Sequence, residues 1–360
     1  MQAQAGAEFR FRRYCPHNVP EILKAITQGH LPSRNVLMCT DDKLPNEVLA
    51  EGDIDYNVRL AIREGIPPIQ AIQMATLNPA THFHLDETLG SLAPGKMADI
   101  LLVSDLENFR VEKVIFSGSL VAEKGNLLVE LPRTIFPDWA VNTVKLARRM
   151  RPEDFYIPYS GSKSKVRALV IDIRRYSTEF IKIPQVREMD VRGGQVMASV
   201  EKDLLKIAVV ERHQQSGNIG LGLIEGFGLK AGAVASSVSH DHHNIVVIGA
   251  SDEDMAAAVN ALADLQGGFI AVLDGKVLAS VPLQFGGLMS IEPYEQAVKK
   301  LNQLDLVVKE KLGCPLSDPI MMLLGISLPT IPEIGISDLG VTQISGLDRR
   351  PHVVKVIVED

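Results

Sequence analysis

Two short runs of this chain bring reactive side-chain types close together. In the first, Cys39-Thr40-Asp41-Asp42, two carboxylates follow the apolar stretch 35–40, which has the length and composition of a short buried strand. In α/β barrels the reacting groups sit on the loops that leave the C-terminal ends of strands. A carboxylate there can ligate a metal ion and take a proton from metal-bound water. The same aspartates suit a helix N-cap, because Pro45-Asn46-Glu47 follows. Spacing alone leaves both readings open.

The second run is His240-Asp241-His242-His243-Asn244. If it is extended, His240 and His242 point to one face and Asp241 and His243 to the other. Either pair could meet a metal or a substrate, since imidazole and carboxylate are good ligands for Zn, Mn or Fe. One histidine would be absorbed easily as a satisfied buried side chain; three in four residues, beside Asp and Asn, are harder to absorb that way. Upstream lie Glu211-Arg212-His213 and a glycine-rich run over 217–232. Those glycines permit close backbone approach but match no phosphate-binding pattern, so no nucleotide cofactor is assigned.

These runs need fixed elements to hold them. Residues 21–28 form one helical piece and 35–40 a strand; 44–50 and 54–64 continue as helix, closed by Gly65. A helix after Pro67-Pro68 sets Ile69, Ile72 and Ala75 at helical spacing. Strand, loop, then helices is the pattern of an α/β unit with its strand buried on both sides. From Leu89 the texture changes to short β pieces. A Pro-Gly turn precedes 99–103, and VEKVIFSGSLVAEKGNLL has the form of a hairpin turning at Gly118 and Gly125. Residues 132–164, rich in proline and ending in SGSKSK, read as a connecting segment with one short helix over 141–150. A second α/β region follows from about Lys165, with strands VRALVIDI, NIVVIG and GFIAVL and helices over 252–265 and 294–312.

Bulk properties narrow the classes. The 360 residues are long enough for more than one core, and 46% hydrophobic with 22% charged residues is ordinary globular composition. A net charge of -7 argues against a nucleic-acid or membrane-surface footprint. No apolar run approaches the ~18–20 residues of a membrane helix, and the N-terminus has no signal-peptide core. Cys15, Cys39 and Cys314 are scattered, as expected of reduced thiols in a cytoplasmic protein.

Two further blocks carry a resemblance. Ala75-Thr76-Leu77-Asn78-Pro79-Ala80, then LGSLAPGKMADI over 89–100, describe a helix stopped at Asn-Pro and a turn into a strand, with Lys96 and Asp99 as structural pair-formers. With Asp41 one helix pair upstream, they resemble the closing segment of the amidohydrolase superfamily, metal hydrolases whose barrel chain returns to a small β-sandwich. The run RHQQSGNIGLGLIEGFGLKAGAVASSVSHDHHNIVVIG, then Gly267-Gly268 with ASVPLQFGGLMS, then LPTIPE, resembles the C-terminal domain of adenine deaminases. Dihydroorotases and similar cyclic amidohydrolases usually end soon after the β-sandwich and lack this domain.

The resemblance implies an α/β fold: the C-terminal fragment of a (β/α)8 metal-hydrolase barrel over 1–90, β-sandwich strands over 91–131, a linker over 132–164 and an adenine-deaminase-type α/β (α+β) domain over 165–360. It implies hydrolysis of adenine to hypoxanthine and ammonia at a site of one or two divalent metals, Mn or Fe. Asp41 would be metal ligand and acid/base; Asp42, His240, Asp241, His243 and Asn244 would bind substrate. His242 falls where the family is less strict. The expected partner is a purine base, and the expected assembly a homo-oligomer.

Two departures qualify this. A whole barrel takes ~250 residues, and about 90 precede the β-sandwich turn here. The family's His-x-His pair after strand one, its strand-four ligand and its histidines after strands five and six have no counterpart. The His-x-His spacings are His82/His84 and His240/His242, neither in the right place. Residues 9–17 (FRFRRYCPH) stand where an Arg-Glu-Gly-Ser-like segment is expected, with the texture of out-of-frame sequence, so the chain is expected to follow a frameshift or truncated gene. Alone it should hold metal weakly and be inactive. The rivals are a purine-binding or regulatory remnant without catalysis, and a half-enzyme completed by a separate chain.

Overall fold

The computed structural model describes residues 7–10, 18–132, 134–344 and 350–358; residues 11–17, most of the FRFRRYCPH segment, lie outside it. The chain divides into two compact units, 1–134 and 135–360. Among the described residues no helix is long and apolar enough to cross a membrane.

In the first unit β1 (Ala7–Arg10), α1 (Asn18–Thr27) and β2 (Val36–Cys39) form a strand–helix–strand crossover, with β1 parallel to β2 and Arg10 opposite Cys39. Helices α2 (Pro45–Glu51), α3 (Ile54–Arg63), α4 (Pro68–Ala75) and α5 (Leu77–His82) follow. Their core gathers Leu23, Met38, Val58, Ala61, Ile66, Ala71 and Met74. Helix α4 occurs where expected but turns Ala71 and Met74 inward, leaving Ile69 56% exposed. Strand β2 buries only Met38 fully, rather than both faces. Next, β3 (Ile100–Val103), β4 (Val111–Phe116), β5 (Ser119–Glu123) and β6 (Asn126–Leu127) make an antiparallel four-stranded meander. Lys96 and Asp99 serve it structurally: Lys96 donates to the Asp86 carbonyl and Ser91 Oγ, and Asp99 accepts the Ser117 N–H at 2.8 Å.

The second unit opens with α6 (Asp138–Val141), β7 (Ile157–Pro158), β8 (Lys165–Asp172), α7 (Tyr176–Glu179), β9 (Ile183–Arg192), β10 (Gln195–Val196), β11 (Leu204–Val210) and β12 (Ile219–Glu225). It continues through β13 (Ala233–Ser236), β14 (Ile245–Gly249), α8 (Asp252–Asp264), β15 (Gly268–Leu273), β16 (Lys276–Pro282), α9 (Tyr294–Glu310) and α10 (Pro319–Ile326). Strands β17 (Ile334–Ser337), β18 (Gly340–Ile344), β19 (Pro351–Val353) and β20 (Ile357–Val358) complete it. One 11-stranded sheet runs in the order β16-β15-β13-β14-β11-β12-β8-β9-β10-β7, with β20 also on β8. The central strands β11 and β14 are buried along their whole length, as their β-branched, apolar sequences require.

The helix expected over 141–150 is not there. Helix α6 ends at Val141, and the backbone beyond spends its hydrogen bonds on side chains near α8. Asn260 Oδ1 accepts the Met150 N–H at 2.8 Å while its Nδ2 donates to the Met150 carbonyl at 2.9 Å, and Gln266 Oε1 accepts the Val144 N–H at 3.1 Å. Tertiary partners thus replace the i to i−4 ladder, and Val144, Met150 and Phe155 enter the core.

The β17–β18 hairpin lies against β12 because β12 has no side chain at Gly220. A Cβ there would meet the Ser337 carbonyl oxygen at 1.8 Å. Gly220→Ala should therefore destabilise this unit by about 3 kcal/mol through overpacking. Gly275→Ala, in a left-handed turn (φ +71) with nothing near its Cβ, should cost only about 1 kcal/mol. Urea unfolding followed at Trp139 compares them; equal midpoints would contradict the packing.

Candidate functional site

Asp41 emerges two residues past β2 with φ 55, in the left-handed region that Asp tolerates better than most residues. It and Asp42 are half-buried. The strand beneath is pinned at both ends by buried amides. Asn57 Nδ2 donates to the Cys39 carbonyl at 2.8 Å, and Asn78 Nδ2 donates to Ser33 and Val36 carbonyls at 2.8 and 2.9 Å. The N-cap of α2 is Leu44, whose N–H is accepted by Glu47 at 2.9 Å, so the cap does not explain the aspartates. Beside them Lys43 Nζ donates to the Gly52 carbonyl at 2.6 Å and lies 4.3 Å from the Tyr56 ring centre.

The 240–244 run connects β13 to β14 and is a turn, not an extended segment. His243 takes φ 49, so side-chain alternation fails. His240 and His243 approach each other with ring centres 5.9 Å apart, instead of His240 with His242. His242 Nδ1 accepts the Asn244 N–H at 3.0 Å and His243 Nδ1 accepts the Ser239 N–H at 3.3 Å. Asn244 is buried; its Oδ1 accepts the Arg212 N–H at 3.3 Å and its Nδ2 donates to Asp338 at 3.3 Å. Asp338 also accepts from Asn218 Nδ2 at 3.1 Å, tying the loop to the β17–β18 turn.

Arg212 underlies the loop, 1% exposed. It donates to the carbonyls of His243 and Gly286, the latter at 3.1 Å, and to Thr143 Oγ1 at 3.4 Å. Burial pulls its pKa down to about 10, with neighbouring Glu211 opposing, so it stays charged at neutral pH. Arg212→Met would strand two interior carbonyls, and each unmet buried group costs about 1–3 kcal/mol. We expect Tm of this unit to fall by roughly 6–12 °C for a loss of ~3 kcal/mol; a shift under ~2 °C would contradict the role.

The wholly buried Lys182 donates to the carbonyls of Ile326, at 3.1 Å, and Leu328, around the end of α10. Burial takes its amine down to about 7. That helix end holds the loop through the Ser239–Ser327 hydroxyl pair at 2.5 Å and the His240 N–H to the Leu324 carbonyl at 2.9 Å.

Comparison with known proteins places both regions. Residues 12–121 match the amidohydrolase family and 180–346 match the adenine deaminase C-terminal domain. An adenine deaminase of Desulforamulus reducens is 43% identical over 342 residues, covering 95% of this chain and 57% of that protein. Those of Moorella thermoacetica and Clostridium botulinum are 42% and 40% identical over 326 residues, covering 90% of this chain and 54% and 53% of theirs. The chain belongs to the adenine deaminase family. It spans about half the length of the curated relatives it matches. Asp41 and Asp42 fall within the amidohydrolase match, and the 240–244 loop with Arg212 and Asp338 within the adenine deaminase C-terminal domain.

The metal implied by the family is not provided for by the described residues. Among them no three His, Cys, Asp or Glu side chains are gathered to hold an ion, at Asp41 or in the histidine loop. The donor set does not fit, so no step of the reaction is routed through a metal here.

The adenine deaminase domain should be acid-labile. Burial lowers His242 to about 4 and His243 below its ordinary value; Asp338 opposes the first, and His240 and Arg212 reinforce the second. Both rings accept a backbone N–H at Nδ1, which an imidazolium cannot do. The folded state binds fewer protons than the unfolded chain between pH 6.5 and 4, so stability is lost as pH falls through that window. His242 alone contributes about 3 kcal/mol of that fall. His242→Gln should flatten the midpoint-versus-pH curve; identical slopes for both proteins would contradict this.

Proposed function

We propose that this chain carries the strand-end acid/base group and the C-terminal domain of an enzyme that hydrolyses adenine to hypoxanthine and ammonia. The observation that carries the reading is the 43% identity to an adenine deaminase across 95% of the chain. Asp41, held past a pinned parallel strand, supports it. In this reading β1, α1, β2 and the helices after them belong to a (β/α)8 barrel, where strand ends carry the chemistry. Water adds at C6 of the purine, Asp41 takes its proton and passes it to the departing amine, and ammonia leaves. Asp42 faces the substrate. The Mn or Fe that the family resemblance implies would draw one ligand, Asp41, from the described residues and the others from elsewhere.

The test supplies the chain with the part of the D. reducens protein it does not cover, and with Mn or Fe. Adenine, guanine and cytosine are offered, and ammonia and deaminated base are measured. Equal release of ammonia and hypoxanthine from adenine supports the reading. Faster release from guanine or cytosine overturns it, and adenine binding without release favours a purine-binding remnant.

A further inference from the structure

The loop that carries Asp41 is tied down on both sides of it, and both ties run to the joint between α2 and α3. Two residues before Asp41, the Cys39 carbonyl accepts from Asn57 Nδ2 at 2.8 Å, and Asn57 is 1% exposed. Two residues after it, Lys43 Nζ donates to the Gly52 carbonyl at 2.6 Å, stands 3.7 Å from the Glu51 carboxylate and lies over the Tyr56 ring, 4.3 Å from its centre. The joint is itself braced. Asp55 accepts the Asp53 N–H at 2.7 Å and Arg59 Nη1 at 2.6 Å, and Arg59 also donates to the Glu51 carbonyl. Gly52 turns there with φ 98, where a Cβ would meet the Asp55 carboxylate and the Arg59 guanidinium. Neither tie serves the cap of α2, which Leu44 and Glu47 make between themselves.

We propose that Asn57 and Lys43 are positioning residues that together hold Asp41 where it can take up and return a proton; this rests on the reading of Asp41 as the acid/base group. One hydrogen bond fixes a point of a loop but leaves the loop free to swing about it. Two, one on each side of Asp41, fix both ends of the turn, and the side chain between them inherits that placement. The backbone at Asp41 says the same, since its φ of 55 lies in the left-handed region. A residue with a Cβ keeps that conformation only where its surroundings impose it, and the two ties impose it. Loss of either should lower turnover, because misplacing a reacting group by about 1 Å can cost 10²-fold. It should leave KM alone, because neither tie is made to the substrate.

Amide hydrogen exchange on the whole chain reads the ties without any reaction. Lys43→Met keeps the aliphatic stem over Tyr56 and removes the donor. Amides over 38–44 should then exchange about 5-fold faster, the change that loss of one typical hydrogen bond gives, with the rest of the unit unaltered. Lys43→Arg keeps a cationic donor over the ring and should restore the wild-type rate. Asn57→Leu should loosen the same segment further; if it fails to fold, Lys43→Met carries the test alone. The chain is then completed with the part of the D. reducens protein it does not cover and with Mn or Fe. There Lys43→Met should lower kcat for adenine about 10-fold at unchanged KM, and Lys43→Arg should recover it. Unchanged exchange in Lys43→Met, or faster exchange with unchanged kcat, overturns the positioning role and leaves the adenine reading standing. Exchange that quickens throughout the unit makes Lys43 a structural residue and overturns the role as well. A completed wild-type assembly that releases no ammonia from adenine overturns both.

Discussion

Replacing Asp41 with asparagine should lower adenine turnover by at least ~10²-fold in any active assembly containing this chain, the least that loss of a positioned proton carrier costs. Asp42→Asn should cost clearly less. Asp41 is the first carboxylate beyond β2, and its left-handed backbone turns the chain directly after the strand. The strand end itself is fixed by Asn57 on the Cys39 carbonyl. A group that must receive and return one proton within a catalytic cycle benefits from such placement, because misplacement by about 1 Å can cost 10²-fold. Asparagine keeps the size and the hydrogen-bonding reach but cannot take up the proton. The two variants should leave Tm nearly unchanged, which separates loss of chemistry from loss of fold. If Asp42→Asn is the more damaging, the two roles are reversed.

Much of this architecture was legible in the sequence, for physical reasons that differ by element. Strands β8, β14 and β15 are β-branched apolar runs too short for helices, and α8 and α9 carry helical spacing with clear ends. What misled was tertiary. The stretch 141–150 has helix-like spacing, yet Asn260 and Gln266 capture its backbone. The 240–244 loop could not be read as a turn, because the partners that shape it are remote. Asn244 meets Asp338 from 94 positions away, and the Ser239–Ser327 pair spans 88.

Arg212 and Asn78 show the two ways a site residue escapes notice. Arg212 stood beside the histidine motif as part of Glu211-Arg212-His213, but nothing local marks an arginine that is 1% exposed. Asn78 looked like a helix stop before Pro79. In the fold the preceding helix ends already at Ala75, Asn78 and Pro79 lie in the first turn of α5, and Asn78 is the clamp on the start of β2, 42 and 45 residues away. For Asp41 the spacing alone left a reacting carboxylate and a helix cap equally open. The helix cap that competed for it belongs to Leu44 and Glu47.

The most direct measurement is ammonia release from adenine by the purified chain, alone and with Mn, Fe or Zn, beside metal analysis of the same sample. A catalytic hydrolase centre needs about three protein ligands and one open position. The described residues gather no such set, and one carboxylate cannot hold an ion tightly enough to bring its bound water near a neutral pKa. The account predicts no turnover and substoichiometric metal for the chain alone. Both should rise on mixing with the remaining part of a full-length relative, with the recovered activity abolished by Asp41→Asn. Turnover by the single chain with one bound metal per molecule, or full complemented activity in Asp41→Asn, would contradict it.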